Sequence, residues 1–363
     1  MTNRLQSATN CTIGKNPEIM IFGAGSMGTA LGAFLSKAGI TADLAARDKE
    51  HIEALKTTGA TIGGAVSFCA KPFDGKEGRA LAMLADDIQK KYDIIFLLTK
   101  QRDNAAIAKM LKNYISPNGV ICTLQNGIPE PALAEILGEE KVLGCVCVWG
   151  AEKTAPGKVI ITSEPASMSF GLGSLFAEYH PMLQTIRNIL EKICPVAVEK
   201  NFTGVRWSKL LINAAFSGMS AVTGYNFGQV AADKRSRQCA LYVIKECINV
   251  CNAANIKIEP VQGKNIERLL GFNNSLQKLR ASVVLPIAIK KHRTITSGML
   301  RDLDLGKTCE IEEINGVVCA WGKKYNVPTP FNSRIVEIVH SIERGERKYC
   351  SQNLELFAQL EKA

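Results

Sequence analysis

Residues 18–38 read EIMIFGAGSMGTALGAFLSKA, in which an apolar run, a glycine-rich turn and a helical pattern follow one another directly. Its apolar start, Glu18–Phe22, predicts a short buried strand, and Met27–Ala38 predicts the helix that follows it. Downstream, the helical pattern of Ala105–Leu111 lies among further apolar strand patterns: Asp43–Ala46, Asp93–Thr99 and Val120–Leu124. Strands separated by helices predict a parallel sheet with helices on both faces.

The turn between the first strand and the first helix is rich in glycine. Gly23 permits a tight turn, Gly25 lets the backbone approach a pyrophosphate, and Gly28 lets the helix pack close to the strand. The free amides and partial positive charge of the helix N-terminus then favour a phosphate. The motif therefore predicts a dinucleotide site of the Rossmann type, formed by Gly23, Ala24, Gly25, Ser26, Met27 and Gly28.

The residues after the second strand choose between NAD and NADP. An acid at this place accepts hydrogen bonds from the ribose 2′-hydroxyl of NAD, whereas an arginine offers a fork of donors to the 2′-phosphate of NADP. Here Arg47 follows the strand and Asp48 follows Arg47. The arginine favours NADP, while the neighbouring acid points the other way, and a plain surface arginine is the simpler alternative.

The second half of the chain has a different character. From about Phe202 the patterns are helical, as in Trp207–Ala221, Arg237–Ala253 and Met299–Tyr325. Asn326–Pro330 must interrupt helix, because its two prolines lack the amide donor. The predicted domains are therefore an N-terminal extension (1–17), a dinucleotide-binding α/β domain (18–200) and an all-helical domain (201–363).

Composition narrows the class of protein. Hydrophobic residues make up 46% and charged residues 21% of the 363, which is typical of a globular protein and excludes a fibrous or disordered chain. No apolar run could span a bilayer, and the polar start resembles no secretory signal. The twelve cysteines form no CxxC pair, which predicts reduced thiols, no metal site and a cytoplasmic protein. The net charge is +10 and lies almost wholly after residue 200, which suits an anionic small molecule or a nucleic acid.

The helical half contains two candidate reactive groups. Lys209 and Asn213 are four residues apart and share one face of a predicted helix. A lysine among apolar neighbours either extends its amine to solvent or sits in a cleft, where a lowered pKa suits a general acid. Glu310 begins an acidic run that, taken alone, is most simply the first turn of a helix.

Several ordered motifs together resemble the ketopantoate reductase (2-dehydropantoate 2-reductase) family. The resemblance runs from Ile19 to about Glu346, and its motifs are GAGSMG, Lys100 in LLTK, Gln125-Asn126-Gly127, WSKLLINA from Trp207, MLRDLDLGKTCEIEEINGVV from Met299, and NVPTP from Asn326. It implies a Rossmann domain followed by an all-α domain like the C-terminal domain of 6-phosphogluconate dehydrogenase. It also implies NADPH-dependent reduction of ketopantoate to pantoate, a step of pantothenate and coenzyme A biosynthesis.

The resemblance also implies roles for individual residues. Lys209 would protonate the carbonyl oxygen of the substrate, and Glu310 would anchor a substrate hydroxyl, the cofactor ribose or the lysine. Arg47 would hold the 2′-phosphate, and Lys100 and Asn126 would line the nicotinamide end of the cofactor site. The implied substrate-binding residues are Asn126, Asn213, Ser217 and Ser297.

Two departures from the family pattern bear on the substrate. Many members read Asn-Pro-Leu where this chain has Ser217-Gly218-Met219, and many read Ser-Ser-Met-Leu where it has Ser297-Gly298-Met299-Leu300. Another NADP-dependent reductase of a 2-keto or imino acid is therefore an open alternative, and a non-catalytic NADP-binding regulator is a second. The basic Lys290–Arg293 cluster has no recognised nucleic-acid module beside it, so we expect no nucleic acid. Family members are often dimers, although the sequence carries no interface signature.

Overall fold

The computed structural model describes residues 16–261 and 263–360. They form two units. The first runs to Gln125 and resumes over Pro129–Phe202, and the second combines Asn126–Ile128 with the chain from Thr203 onward. The division near Phe202 lies close to the predicted boundary, whereas the separate piece Asn126–Ile128 was not predicted. The predicted extension of residues 1–17 lies almost wholly outside the described residues.

An eight-stranded sheet and a four-stranded sheet make up the strand structure of the first unit. The strands are β1 (Ile19–Phe22), β2 (Asp43–Ala46), β3 (Thr61–Gly64), β4 (Phe68–Cys69), β5 (Ala82–Leu84), β6 (Tyr92–Leu97), β7 (Ile115–Thr123), β8 (Val142–Cys147), β9 (Ala151–Ala155), β10 (Lys158–Ile161), β11 (Phe170–Gly173) and β12 (Val196–Val198). The large sheet has the order β12-β11-β8-β7-β6-β1-β2-β5, and the small sheet has the order β4-β3-β10-β9.

Strand β1 lies inside the large sheet and is buried on both faces. It pairs in parallel with β2 on one side and with β6 on the other. Ile19 and Ile21 enter one apolar core, whereas Met20 and Phe22 enter the core on the opposite face, as the alternation of side chains along a strand requires. This confirms the predicted parallel, doubly covered sheet from β5 to β8. Strand β11 is an exception, because it runs antiparallel to β8.

The helices of the first unit connect these strands, and those of the second unit pack on one another. They are α1 (Ser26–Lys37), α2 (Lys49–Thr57), α3 (Asn104–Leu111), α4 (Glu130–Leu137), α5 (Met182–Leu190), α6 (Phe202–Thr223), α7 (Phe227–Ala232), α8 (Lys234–Ala253), α9 (Ile266–Leu270), α10 (Ser275–Ala288), α11 (Gly298–Asp304), α12 (Val317–Lys324) and α13 (Pro330–Glu343). A π-helical turn, Glu312–Gly316, leads directly into α12.

The small sheet was not predicted from the sequence. Its β9–β10 hairpin turns at Gly157, which has a φ of +68°. The backbone N–H of Lys153 on β9 donates to Ser26 Oγ at 3.0 Å, which joins this hairpin to the start of α1. Phe34 of α1 also contacts Phe68 of β4, with ring centroids 5.3 Å apart. The small sheet therefore lies against the helix that follows the glycine turn.

The second unit is helical, as predicted, but one predicted helix is broken. Met299–Tyr325 was expected to form one helix, whereas α11 ends at Asp304 and helical structure resumes at Ile311. Gly306 adopts a φ of +64°, a left-handed conformation that a continuous helix does not contain. The expected interruption over Asn326–Pro330 is confirmed, because α12 ends at Lys324 and α13 begins at Pro330.

Several cysteines are buried in the helical unit. Cys247 and Cys251 lie on the buried face of α8 and are free thiols, and burial raises the pKa of Cys251 to about 12. At neutral pH these two sulfurs therefore pack as apolar groups. In the part of the chain that the structure describes, no helix is long and apolar enough to cross a membrane.

Candidate active site

The glycine turn has the backbone geometry that its sequence predicts. Gly23 has a φ of +103°, and a Cβ atom there would lie 2.7 Å from the backbone nitrogen of Thr99. A Cβ atom at Gly28 would lie 2.3 Å from the carbonyl oxygen of Gly23. Neither position can hold a side chain, because the first requires a left-handed conformation and both are filled by backbone. The two glycines therefore set the close packing of β1, α1 and the end of β6.

Gly25 differs from its two neighbours in the motif. Among the residues that the structure describes, none has an atom within 4 Å of where a Cβ would lie, and no side chain caps the first turn of α1. The large sheet also reverses its order here, because β2 and β6 flank β1, and ligands bind at such a reversal beyond the carboxyl ends of the strands. Open space beside uncapped helical amides fits a pyrophosphate. These residues therefore fit a dinucleotide cofactor.

Arg47 and Asp48 occupy the end of β2 in different ways. The Arg47 side chain is 77% exposed and forms an ion pair with Asp103 at 3.1 Å. Asp48 caps α2 by accepting from the backbone N–H of His51 at 3.1 Å, and its other oxygen lies 2.7 Å from Lys153 Nζ. The hydrogen bond from Lys153 is the main reason that the pKa of Asp48 is lowered. The acid is thus engaged by protein groups, while the arginine is accessible.

Lys100 and Asn126 follow two adjacent parallel strands, β6 and β7, and both are exposed. Gln125 stabilises the loops that carry them, and sequence reasoning assigned it no role. Its Nε2 donates to the Thr99 carbonyl at 2.8 Å and to Asn104 Oδ1 at 2.7 Å, and its Oε1 accepts from Asn104 Nδ2 at 3.1 Å. The position of Gln125 between a buried strand and Asn126 could have indicated a role for it. The sequence alone does not show which residues it contacts.

Lys209 and Asn213 both lie on α6, and both are partly buried. Residues four apart on a helix have neighbouring side chains, about 5–6 Å apart at Cβ. The flanking residues Trp207 and Leu211 are fully buried in the helical core. The two residues therefore occupy neighbouring positions on one face of α6, at the margin of an apolar core.

Glu310 immediately precedes the helical turns that lead through the π-helical segment into α12, and it is partly buried. The acidic first turn that the sequence predicts is confirmed for Glu312 and Glu313. Ser297 is 2% exposed, and its Oγ accepts from the backbone N–H of Leu300 at 3.0 Å, which caps α11. Ser217 is also buried, on α6.

A buried polar network joins the π-helical segment to the helix of Lys209. Asn315 Nδ2 donates to the carbonyl of Ala214 on α6 at 3.2 Å and to Asn332 Oδ1 at 2.9 Å. Asn332 Nδ2 donates in turn to Glu246 Oε2 at 2.7 Å. Ala214 directly follows Asn213, so this network fixes the spacing between the two elements that carry Lys209 and Glu310. Ala214 and Asn315 lie in motifs that the sequence analysis quoted, but it assigned no role to them or to Asn332 and Glu246.

Gly218 is part of the same packing. A Cβ atom there would lie 2.8 Å from Asn315 Oδ1. Because glycine stands at this position, α6 and the π-helical segment can approach closely. The departure at Ser217-Gly218-Met219 therefore has a packing reason in this chain.

A second set of contacts holds the chain on either side of Glu310. Glu343 on α13 accepts from the backbone N–H of Cys309 at 2.8 Å and pairs with His340 Nδ1 at 2.9 Å. The other ring nitrogen of His340 lies 2.7 Å from Glu312 Oε1. Although burial lowers the pKa of His340, the hydrogen bonds to the two glutamates outweigh it and raise that pKa overall. These contacts fix the backbone on both sides of Glu310.

Among the described residues, no group of three or more His, Cys, Asp or Glu side chains could hold a metal ion.

Comparison with known proteins gives two family matches. The family described as "Ketopantoate reductase PanE/ApbA" matches residues 19–174, and the one described as "Ketopantoate reductase PanE/ApbA C terminal" matches residues 201–343. Together they cover well over half of the chain.

Whole-length relatives agree with these matches. The 2-dehydropantoate 2-reductase of Archaeoglobus fulgidus is 27% identical over 331 residues, which cover 90% of this chain and 98% of the relative. That of Aquifex aeolicus is 26% identical over 327 residues, which cover 90% and 97%.

Two solved structures share the fold. A PanE/ApbA family ketopantoate reductase from Ralstonia eutropha JMP134 has a TM-score of 0.75 at 21% identity, covering 90% of this chain and 99% of its own. D-Mandelate dehydrogenase with NADH and anilino(oxo)acetate has a TM-score of 0.74 at 20% identity, with the same coverage.

Proposed function

Because this chain belongs to the ketopantoate reductase PanE/ApbA family, we propose that it reduces a 2-keto acid to the 2-hydroxy acid with NADPH. The proposed substrate is 2-dehydropantoate, which is reduced to pantoate. The curated relatives in A. fulgidus and A. aeolicus carry the same name for this activity, which supports the assignment.

The cofactor would be held by the first unit. The uncapped amides at the start of α1 and the open side of Gly25 would accept the pyrophosphate, and Arg47 would bind the 2′-phosphate. Lys100 would lie toward the nicotinamide, as would Asn126, which belongs to the second unit. When bound, NADPH supplies the hydride.

The helical unit would supply the proton and the substrate contacts. Hydride addition at the carbonyl carbon leaves negative charge on oxygen, and the Lys209 ammonium both stabilises that charge and donates the proton. Asn213 would hydrogen-bond the substrate, together with Ser217 and Ser297. Glu310 would orient the amine or a substrate hydroxyl.

The observation that carries the proposal is the placement of Lys209 and Asn213 on one face of α6, tied by Asn315 at Ala214 to the segment that follows Glu310. An NADP-binding regulator would need the glycine turn but would have no use for this arrangement. A catalyst needs it, because general acids work only when their geometry is fixed.

A turnover screen tests the proposal. The purified protein is mixed with NADPH and with each of several 2-keto acids, including ketopantoate, 2-ketoisovalerate and phenylglyoxylate, and NADPH consumption is followed by absorbance. We expect steady consumption with at least one acid. Tight NADPH binding with no turnover on any acid would refute the reductase and favour the regulator.

A second candidate is an NADP-dependent reductase of a bulkier 2-keto acid. Ser217 and Gly218 stand where many members have Asn-Pro, so a hydroxyl replaces the side-chain amide that those members have at this place. This favours an altered substrate pocket. A higher kcat/KM for phenylglyoxylate than for ketopantoate in the same screen would select this candidate.

A further inference from the structure

Asp48 directly follows Arg47 at the end of β2, and both of its oxygens are already in use. Oδ1 accepts from the backbone N–H of His51, and Oδ2 lies 2.7 Å from Lys153 Nζ. In NAD-binding sites an acid after the second strand accepts hydrogen bonds from the ribose hydroxyls. Here the hydrogen bond from Lys153 competes directly with that interaction.

Lys153 comes from a distant part of the sequence. It lies on β9 of the small sheet, and its backbone N–H donates to Ser26 Oγ at the first residue of α1. A single side chain therefore reaches Asp48 from a strand whose backbone is bonded to the start of the glycine-turn helix. The ammonium lies beside the residue that directly follows Arg47.

A buried relay fixes the hairpin that carries Lys153. The backbone N–H of Gly157 donates to His51 Nδ1 at 3.1 Å, so the other ring nitrogen, Nε2, carries the proton and donates to Thr29 Oγ1 at 2.8 Å. Thr29 Oγ1 then donates to the carbonyl of Ala24 within the glycine turn, at 3.2 Å. His51 is fully buried, so the hairpin turn and the glycine turn are joined through a chain of three buried hydrogen bonds.

We propose that Lys153 is a second determinant of cofactor choice: it occupies Asp48 and adds a positive charge beside Arg47, so that the site accepts the 2′-phosphate of NADPH. This inference rests on the proposed NADPH-dependent function. Without Lys153, the Asp48 carboxylate would repel the 2′-phosphate and would be available to the ribose hydroxyls of NADH. Lys153 thus offsets the charge of an acid that would otherwise favour NAD, and the site can then accept NADP.

Binding measurements test the inference without turnover. Dissociation constants for NADPH and NADH are measured by nicotinamide fluorescence, with 2′,5′-ADP as a competitor that lacks the nicotinamide. The variants are Lys153→Ala, Asp48→Asn and the double variant. The matched control is Lys158→Ala, which removes an exposed lysine from β10 of the same hairpin.

We expect Lys153→Ala to weaken NADPH and 2′,5′-ADP about tenfold, as loss of one charge-assisted hydrogen bond does, without weakening NADH. The loss is smaller in the Asp48→Asn background, because the repelling carboxylate is absent there. Lys153→Arg restores most of the preference, and Lys158→Ala leaves it unchanged. Equal melting temperatures of the variants exclude a loss through unfolding.

Two results would overturn the inference. If Lys153→Ala has the same ratio of NADPH to NADH affinity as the wild-type protein, Lys153 does not determine cofactor choice. The proposed function would still stand in that case, provided that the wild-type protein prefers NADPH. Failure of the wild-type protein to bind either nucleotide removes both the inference and the proposed function.

Discussion

The stability of the helical unit should fall as the pH rises, because of the buried acid Glu246. It is 6% exposed on α8 and accepts three hydrogen bonds at the start of α13: from Phe331 N at 2.8 Å, Asn332 N at 3.0 Å and Asn332 Nδ2 at 2.7 Å. These donors favour the ionised carboxylate, but burial opposes it more strongly and raises the pKa to about 7 from 4.5. The network that joins α6 to the π-helical segment therefore ends on a buried acid whose pKa lies near neutral pH.

The sign and size of the effect follow from that pKa. A carboxyl group whose pKa is raised on folding stabilises the folded state fully below its unfolded pKa of 4.5 and loses that stabilisation as the pH rises through about 7. With about 1.36 kcal/mol per pKa unit, the free energy of unfolding of the helical unit should fall by about 2.5 kcal/mol between about pH 5 and about pH 8. Glu246→Gln keeps the shape but cannot ionise, so it should lack this part of the pH dependence.

The assay is urea unfolding followed by tryptophan fluorescence. The chain has three tryptophans. Trp207 and Trp321 contact each other within the helical unit, with ring centroids 5.2 Å apart, whereas Trp149 lies in the core of the first unit. In a Trp149→Phe background the fluorescence therefore reports the helical unit alone. Glu246→Gln in the same background is the control at each pH.

The comparison between the two proteins at both pH values decides the outcome. Glu246→Gln sets an uncharged side chain against three donors and leaves one of them unsatisfied, which lowers the stability of the variant by about 1–3 kcal/mol. Because the amide does not ionise, the contribution of this site to the stability of the variant does not change with pH. The wild-type advantage over this variant should shrink by about 2.5 kcal/mol toward pH 8. If the advantage stays constant or grows, the three donors hold the carboxyl ionised and the reasoning is wrong.

Three further predictions concern the proposed reaction. Lys209→Ala should lower kcat by about 10²–10⁴-fold, which is the range of general-acid catalysis. The NADPH dissociation constant should stay within about twofold of the wild-type value. Turnover close to wild type in stopped-flow assays would show that Lys209 is not the acid. Arg47→Ala should weaken NADPH binding about tenfold and leave NADH binding unchanged, because a charge-assisted contact to phosphate is stronger than the exposed ion pair with Asp103. Equal losses of affinity for both nucleotides in calorimetry would contradict this prediction. Gly28→Ala places a methyl group 2.3 Å from a backbone oxygen, so it should abolish nucleotide binding or lower the melting temperature by several degrees. Gly63→Ala, at a glycine without a positive φ whose added methyl group would meet its nearest atom at 3.6 Å, should retain nucleotide binding.

The parts of the fold that depend on local pattern could be predicted from the sequence. The glycine turn could be predicted because each glycine has a separate steric reason. In the structure Gly23 has a positive φ, and neither Gly23 nor Gly28 has space for a Cβ atom. Likewise, the interruption before α13 follows from Pro328 and Pro330, which cannot donate a backbone hydrogen bond. The broken helix after Asp304 was missed, because the apolar spacing continues through Gly306 although the backbone does not.

The candidate site could be predicted only in part, for a similar reason. Lys209, Asn213 and Glu310 belong to recognisable motifs, but what fixes them comes from elsewhere in the chain. Asn332 and Glu246 are separated by 86 residues and still meet through two hydrogen bonds. Such pairs carry no local signature, because an asparagine or glutamate in a helical pattern is most simply a surface residue.

Strand β3 pairs in parallel with β10, and Thr61 lies opposite Lys158, almost a hundred positions later in the chain. The contact between Lys153 and Ser26 spans 127 positions. During synthesis, β1, β2 and the glycine turn leave the ribosome long before the hairpin that packs on them. Pairings this distant slow folding, since a large loop must close before any contact compensates. The newly made protein would thus pass through an interval in which the turn already exists while the lysine that shields Asp48 has yet to be translated.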